Sequence, residues 1–278
     1  MSVSREPVIT STKNTRVRDA LELRDRRARE RSGLTLVDGT REIARAITAG
    51  ARIEELFVDE ERLRGDAPVV LDRARMAGAR ITRASGEVLD RLAYGDRPDG
   101  LVAVARVPST HLDRLALPGN PLVVVLESVE KPGNLGAVLR SADGAGASAV
   151  IAADPRTDLY NPNAIRASLG TIFALPVVAG RSPDVRSAMD ARGIRVLAAR
   201  VDGAVSYTEV DLTGPVALVL GSEADGLTDA WRGDGVTAIS LPMLGIADSL
   251  NVSIAAAVLL YEARRQRDAA VAIAGPGA

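Results

Sequence analysis

The chain has 278 residues, of which 46% are hydrophobic and 26% are charged, and its formal net charge is −1. This composition predicts a folded protein of about two domains and excludes a globally basic chain, so any nucleic-acid-binding surface would be local. There is no cysteine and a single histidine, His111. Disulfides, thiolate nucleophiles and cysteine-based metal sites are therefore excluded, and a multi-histidine zinc site is disfavoured. No apolar run is long enough to span a membrane and no signal peptide is recognisable, so we expect a cytoplasmic protein.

Residues 1–107 alternate between helical and extended patterns, which predicts a small α/β domain. The first predicted helix covers residues 11–31 and stops at Gly33. The following apolar runs predict strands at 34–37, 55–58, 79–82 and 100–107, and helices at 40–49, 68–77 and 87–92. No catalytic constellation of side chains is recognisable in this domain.

The second half of the first predicted helix, residues 24–31, contains five arginines and two acidic residues. One interpretation is a solvated helix face with ion pairs four residues apart. The other is a patch that contacts phosphate groups, to which Arg26 and Arg27 would contribute. Arg41 occupies a loop-like position, where it is either structural or free to bind.

Residues 108–121 contain three prolines, a glycine and an asparagine, which predicts a linker. The second predicted domain covers residues 122–270. Its strands are predicted at 122–126, 149–152, 173–178, 195–199, 216–220 and 237–241, and its helices at 137–142, 163–169, 184–191 and 250–267. The fully apolar strands indicate a parallel sheet that is buried on both faces.

Three polar, glycine-containing stretches follow three of these strands, at residues 132–140, 221–226 and 242–251. Because parallel strands end at one edge of their sheet, the pattern brings four polar side chains to that edge: Asn134, Arg140, Glu223 and Asn251. Asn134 and Arg140 are six residues apart, and we expect both to face the mouth of the first crossover. For each stretch alone, turn and cap chemistry remains the alternative, with glycine for positive φ and serine or asparagine as helix caps.

The residues themselves carry a resemblance to a known family. Residues 130–140 (EKPGNLGAVLR) resemble motif one of the SpoU/TrmH family of RNA ribose methyltransferases, in the SPOUT superfamily. Residues 218–227 (LVLGSEADGL) resemble motif two, and ISLPM at 239–243 with SLNVS at 249–253 resembles motif three. The match spans about residues 122–262. Residues 1–107 resemble, more loosely, the ribosomal-protein-like substrate-binding domain common in this family.

The resemblance implies a fold and a methyl donor. The fold is a small N-terminal α/β RNA-binding domain followed by a SPOUT α/β methyltransferase domain with a C-terminal trefoil knot. The donor is S-adenosyl-L-methionine, which binds in the knot mainly through backbone atoms. By position, its contacts fall on Gly221, Ile239, Leu241 and Leu250.

The implied reaction is methyl transfer to a ribose 2′-hydroxyl, and it needs no metal. The family gives the central role to the arginine at position 140, sometimes as the base. A guanidinium stays protonated in proteins, so we favour a clamp on the target phosphate that also stabilises the developing alkoxide. Asn134 would orient Arg140 or the ribose, Glu223 would hold Arg140, and Asn251 would position the donor or the hydroxyl.

The resemblance also implies partners. Ribosomal RNA is the expected substrate, with a possible link to antibiotic resistance; a transfer-RNA methyltransferase and a non-catalytic RNA-binding protein of the same fold are the alternatives. Arg26, Arg27, Arg41 and Arg166 are the expected RNA contacts. Family members are homodimers, and the last helix has a broad apolar face that fits either a dimer contact or core packing: Val252, Ala255, Ala256, Leu259 and Leu260.

Overall fold

The computed structural model describes residues 7–95, 99–222 and 225–274. Its helices are α1 (Thr15–Glu22), α2 (Arg26–Ser32), α3 (Thr40–Thr48), α4 (Ala67–Met76), α5 (Gly86–Leu92), α6 (Pro132–Ala145), α7 (Pro162–Ala167), α8 (Ser182–Asp190) and α9 (Val252–Ala274). Its strands are β1 (Leu34–Asp38), β2 (Ile53–Val58), β3 (Arg80–Arg83), β4 (Leu101–Arg106), β5 (Leu122–Glu127), β6 (Ala149–Ala153), β7 (Val177–Gly180), β8 (Arg195–Ala199), β9 (Val205–Ser206), β10 (Val216–Leu220) and β11 (Val236–Ser240). Within these ranges, no helix combines the length and apolarity needed to cross a lipid bilayer.

The chain forms two compact units. The first contains Met1–Pro108 together with Tyr160–Ala174, and the second contains Ser109–Leu159 together with Leu175–Ala278. A segment from the second half of the sequence, including α7, is thus part of the first unit. There the hydroxyl of Thr35, in β1, donates to the carbonyl of Tyr160 at 2.7 Å.

The first unit is built on a four-stranded sheet in the order β1-β4-β2-β3. Strand β4 is antiparallel to β1 and β2, and β3 is parallel to β2. Its hydrophobic core includes Leu36, Phe57 and Leu89, all fully buried. Glu42 at the start of α3 is also buried, and this burial raises the pKa of its carboxyl group.

The prediction of one helix over residues 11–31 was wrong, because α1 and α2 are separate. The Asp25 carboxylate accepts the N–H groups of Arg27 at 2.8 Å and of Ala28 at 3.3 Å, which caps a new helix. Arg29, only 4% exposed, donates to the carbonyls of Leu23 and Arg24 at 2.8 and 2.9 Å. The break is therefore stabilised on both sides: the Asp25 carboxylate accepts N–H groups at the start of α2, and the Arg29 guanidinium donates to carbonyl groups just after α1.

The second unit is built on a seven-stranded sheet in the order β7-β6-β5-β10-β8-β11-β9. Every strand pair in it is parallel. Strands β5, β6 and β7 follow one another toward one edge of the sheet. The later strands lie on the other side of β5, where β10 is placed between β5 and β8. Leu126 pairs with Leu220, so the loops after β5 and β10 leave the sheet side by side. This is the position at which open α/β sheets bind ligands.

Other predicted elements differ in detail. The strand predicted at 173–178, with a break at Pro176, was wrong before that proline: Thr171–Phe173 is a 3-10 helix and β7 starts at Val177. Pro176, which has no N–H group, separates the two. The two-residue strand β9 was not predicted, because it is defined only by its pairing with β11. The α/β class of both domains is confirmed, while the trefoil knot stays a prediction.

The last helix, α9, packs along α6. Its apolar residues Ala256, Leu259 and Leu260 are fully buried within this one chain. Core packing therefore accounts for the centre of the apolar face. The exposed apolar side chains of α9 lie elsewhere, at Ile254 and Tyr261 among others.

Candidate active site

A pocket of about 510 Å³ lies at the carboxyl edge of the second unit's sheet. Its walls come from the segments that follow β8, β10 and β11, and from the first turns of α9. Its apolar lining includes Leu220, Leu227, Leu241, Met243, Leu250, Val252 and Ala255. A pocket of this size with apolar walls and a few polar groups is typical of a site for a small organic ligand.

Three of the four residues predicted to bind the donor, Gly221, Leu241 and Leu250, line this pocket. Ile239 does not line it, because its side chain is fully buried in β11. The Ile239 carbonyl accepts the N–H of Arg200 at 2.9 Å, and Arg200 does line the pocket. Ile239 thus affects the pocket only indirectly, through the hydrogen bond between its carbonyl group and the backbone of Arg200.

Gly221 is the point where the loop after β10 folds back on itself. A Cβ atom at Gly221 would overlap the carbonyl group of Gly226 and would come within 2.6 Å of the Leu227 nitrogen. Ser222 forms an isolated bridge with Gly226, and its hydroxyl accepts the N–H of Asp225 at 3.0 Å. Glycine is therefore required at 221 by the protein's own backbone. We call residues 221–228 the β10 loop.

Asn134 and Asn251 meet beside the pocket. The Asn251 side-chain amide donates to Oδ1 of Asn134 at 3.4 Å. Oδ1 of Asn251 accepts the N–H of Ser253 at 3.0 Å and its hydroxyl at 2.6 Å, so Asn251 is the N-cap of α9. The cap fixes the direction of the amide group. A smaller cavity of about 120 Å³ contains Asn134 and shares Gly221 with the main pocket.

Arg140 lies in the middle of α6 and is exposed. Six residues of helix separate it from Asn134 by about 9 Å along the axis and by about 120° around it. The two side chains therefore leave α6 in different directions, and the expectation that both face the mouth of the crossover stays a prediction. Across the described part of the chain, no hydrogen bond or ion pair reaches Arg140. Glu223, its predicted partner, lies outside the described residues.

Arg156, which the sequence analysis missed, bridges two of the loops at this edge. Its guanidinium contacts Oε1 of Glu130 at 2.5 Å and Oδ2 of Asp225 at 3.2 Å. The hydrogen bond to Glu130 is the main reason that the pKa of Arg156 is raised. Glu130 precedes α6 and Asp225 belongs to the β10 loop, so Arg156 ties the two loops together. Nothing in the local sequence indicates partners so distant in the chain.

The four arginines predicted to contact RNA all belong to the first unit. Arg27 and Arg41 are exposed. Arg26 forms an ion pair with Glu30 at 2.7 Å, as the solvated-face interpretation expects. Arg166 has a side chain that is 41% exposed and donates to the buried carboxylate of Asp38 at 2.7 Å. These four side chains are available at a surface, but two of them also make ion pairs.

Two further arginines of the 24–31 segment have structural roles. Arg29 is buried, as described above. Arg24 donates to the carbonyl of Ala93 at 2.5 Å and lies 4.6 Å from the centre of the Tyr94 ring. A phosphate-contacting patch in this segment would therefore be smaller than the count of five arginines suggests. Among the residues that the structure describes, no group of His, Asp and Glu side chains is arranged to hold a metal ion.

Family comparison identifies both parts of the chain. Residues 121–261 match the SpoU rRNA Methylase family, and residues 14–103 match the MRM3-like substrate binding domain. The chain belongs to the SpoU rRNA methylase family. The resemblance carried by the three motifs is thereby confirmed.

Named relatives of this SpoU-family chain include two enzymes of 23S rRNA. The 23S rRNA (uridine(2479)-2'-O)-methyltransferase of Streptomyces viridochromogenes is 35% identical over 252 residues, which are 88% of this chain and 87% of the relative. The 23S rRNA (guanosine-2'-O-)-methyltransferase RlmB of Ralstonia nicotianae is 36% identical over 80% of this chain and 93% of the relative. The similarity to both extends over nearly their full length.

A solved structure with the same fold contains the methyl donor. It is the SpoU methyltransferase AviRb from Streptomyces viridochromogenes in complex with the cofactor AdoMet. Its TM-score to this chain is 0.83 at 34% identity, with 92% of this chain and 100% of that chain covered. The SpoU methyltransferase fold predicted from the motifs is confirmed by this likeness.

The packing at Gly221 leads to a stability prediction. We expect Gly221→Ala to lower the free energy of unfolding of the second unit by about 1–3 kcal/mol, because the new methyl group must displace the backbone of the β10 loop. The matched control is Gly133→Ala in α6, where a Cβ would meet no atom within 4 Å. Thermal unfolding of the two variants would contradict this account if both melted at the wild-type temperature.

Proposed function

We propose that this protein transfers a methyl group from S-adenosyl-L-methionine to the 2′-hydroxyl of a ribose in ribosomal RNA. One observation carries the proposal: the pocket lined by Gly221, Leu241 and Leu250 borders the pair formed by Asn134 and Asn251. A place for a small organic ligand thus adjoins polar groups able to orient a hydroxyl. The named relatives act on 23S rRNA, which favours ribosomal over transfer RNA.

The pocket lining fits the proposed donor. Leu241 and Leu250 would enclose the adenine ring, and the backbone after Gly221 would supply hydrogen-bonding groups. Arg200 and Asp202, which form an ion pair at 2.8 Å, provide a polar rim on the same pocket. When bound, the donor supplies a sulfonium methyl group that is open to attack by an oxygen nucleophile.

The proposed roles of the polar residues follow from where they are anchored. The side-chain oxygen of Asn251 caps α9 and its amide donates to Asn134, so we propose that this pair of amides orients the hydroxyl. Arg140 is exposed on α6, and a planar guanidinium is suited to binding a phosphate through two parallel hydrogen bonds. We propose that it clamps the phosphate next to the target ribose. Glu223 keeps its proposed role of holding Arg140.

The first test is methyl transfer from labelled S-adenosylmethionine to unmodified ribosomal RNA and to bulk transfer RNA in parallel. We expect 2′-O-methyl nucleotides in ribosomal RNA. Arg140→Ala should lower kcat by about 100-fold or more, because it removes transition-state stabilisation and leaves the donor pocket intact.

The matched control is Arg192→Ala, since Arg192 is exposed and, from the turn after α8, donates to the Ala188 carbonyl of that helix. The control should keep wild-type kcat. Equal rates for both variants would contradict the role of Arg140. Donor binding without transfer to either RNA would favour a non-catalytic RNA-binding protein, and label in transfer RNA alone would replace the proposed substrate.

We propose that the first unit binds the RNA substrate through Arg26, Arg27, Arg41 and Arg166. The net charge of the chain is −1, so the attraction to phosphate must come from such local groups. Methylation of a ribose does not depend on the identity of the base, and recognition of RNA shape by a separate unit would supply the missing specificity. We propose the cytoplasm as the location of this activity, because the proposed substrate is ribosomal RNA.

The arginine patch can be tested by the salt dependence of RNA binding. The double variant Arg26→Ala with Arg27→Ala should reduce the slope of log K for RNA binding against log[salt] by about 1–2. Each phosphate contact that is lost lowers the number of counterions released when the RNA binds. Arg75→Ala on α4, which removes an exposed arginine paired with Asp72, is the control and should leave the slope unchanged. An unchanged slope in the double variant would show that this helix is only a solvated face.

We propose that the protein is a homodimer and that the apolar surface around the start of α9 forms part of the contact. Leu244 and Ile246 in the loop before α9 are fully exposed, and Ile254 and Tyr261 on α9 are 53% and 55% exposed. Large apolar side chains that are exposed in a single chain are the kind of surface that a second copy of the chain would cover.

Sedimentation velocity tests the dimer. Ile254→Glu should shift the protein from dimer to monomer at micromolar concentration, because a carboxylate would be buried without a partner at the contact. Val69→Glu on α4 is the control, since Val69 is an equally exposed apolar residue of the first unit, at 60%. A monomeric wild type, or a variant as dimeric as the control, would overturn the proposed contact.

A further inference from the structure

Glu127 is a buried carboxylate for which the reaction outlined above has no use. It is the last residue of β5 and is only 1% exposed. Its carboxylate accepts three hydrogen bonds: from the Ser182 hydroxyl at 2.7 Å, from the Thr228 N–H at 2.8 Å and from the Thr228 hydroxyl at 2.7 Å. Throughout the described residues, no cationic side chain pairs with it. A buried charge of this kind is tolerated because its hydrogen bonds replace water.

Two of the three donors belong to Thr228, which ends the β10 loop. Thr228 also caps the 3-10 helix Asp229–Trp231, and Trp231 is fully buried in the core. At its other end the loop starts at Gly221, directly after β10, where its backbone packs against Gly226. The part of the loop that lines the pocket, including Leu227, therefore lies between two attached ends, Gly221 and Thr228. Glu127 holds the second of these ends through its hydrogen bonds with Thr228.

The third donor connects Glu127 to the rest of the sheet edge. Ser182, 2% exposed, is the first residue of α8, and its N–H donates to Oδ2 of Asp154 at 2.9 Å. Asp154 directly follows β6 and has a positive φ of 45°. Ser128, directly after Glu127, likewise has a positive φ of 53°. A left-handed backbone conformation at a non-glycine residue costs conformational energy, so the surrounding hydrogen bonds must hold these two positions in place.

We propose that Glu127 is a positioning residue for the methyl donor: by holding Thr228, its carboxylate keeps the wall of the donor pocket in its binding shape. This inference rests on the proposed function. Both carboxylate oxygens are already engaged by donors and shielded from solvent, so Glu127 does not serve as a base. It acts through the β10 loop, and its contribution is to donor affinity.

The structure provides a matched pair of variants. Thr228→Val and Ser182→Ala each remove one hydroxyl that donates to the same atom, Oε1 of Glu127, at the same distance of 2.7 Å. Only Thr228 belongs to the loop that lines the pocket. Thr228→Val should raise the Kd of S-adenosylhomocysteine about tenfold, while Ser182→Ala should leave it within about twofold. Equal effects of the two variants would overturn the positioning role.

A third variant separates positioning from chemistry. Glu127→Gln keeps the shape of the side chain and an acceptor for the Thr228 N–H, and the two hydroxyls can rotate to accept from its amide. Its kcat should stay within about threefold of wild type at saturating donor. A fall in kcat of about 100-fold with unchanged Kd would show that the carboxylate takes part in proton transfer, which would overturn the proposal.

Amide exchange of the ligand-free protein gives a readout that does not depend on the donor. Glu127→Ala should speed exchange at residues 225–228 by about tenfold or more, with core amides of β5 and β10 unaffected. Unchanged exchange there would overturn the anchoring by Glu127. Failure of the wild type to bind S-adenosylhomocysteine would instead overturn the proposed function, and the exchange result would still decide whether Glu127 holds the loop.

Discussion

The parallel pairing of β10 with β5 on one side and β8 on the other is the constraint on which the candidate site depends. It brings a strand formed late in the chain into the centre of the second unit's sheet. The loops after β5 and β10 then leave the same edge as neighbours, and β11 adds the third loop two strands away. Motifs separated by about a hundred residues in sequence become the walls of one pocket. The apolar side chains of these strands suit this central position, because the strands of a parallel sheet are covered on both faces and are therefore near-continuous hydrophobic runs.

The residues at this edge are positioned in two different ways. The pocket itself depends on backbone: Gly221 allows the β10 loop to fold onto itself, and the Ile239 carbonyl anchors Arg200. The polar groups depend on helix starts, since Asn134 lies in the first turn of α6 and Asn251 caps α9. A hydrogen-bonded cap has few alternative orientations. Both amide groups are therefore held in a fixed place, and transfer between two bound molecules depends on such positioning.

Much of this arrangement could be predicted from the sequence, and the limits have physical causes. Strands β8 and β10 were predicted with the bounds that the structure has, because a short apolar run between polar turns has few other solutions. The motifs at the strand ends were recognisable for the same reason. The break at Asp25 and the contacts of Glu127 with Ser182 and Thr228 were not, since a cap competes closely with helix continuation and tertiary partners leave no local pattern. The angle between Asn134 and Arg140 was not predictable, because the predicted helix began at residue 137, whereas α6 begins at Pro132 and includes Asn134.

Hydrogen–deuterium exchange on adding S-adenosylhomocysteine tests the central claim most directly, because it locates the donor without assuming the RNA. We expect slower exchange in three segments: the turn after β8, the β10 loop and the segment between β11 and α9. Helix α4, in the first unit, should exchange at the same rate with and without ligand. Binding that protects only other segments, or no binding at millimolar ligand, would contradict the assignment of this sheet edge as the methyl-transfer site.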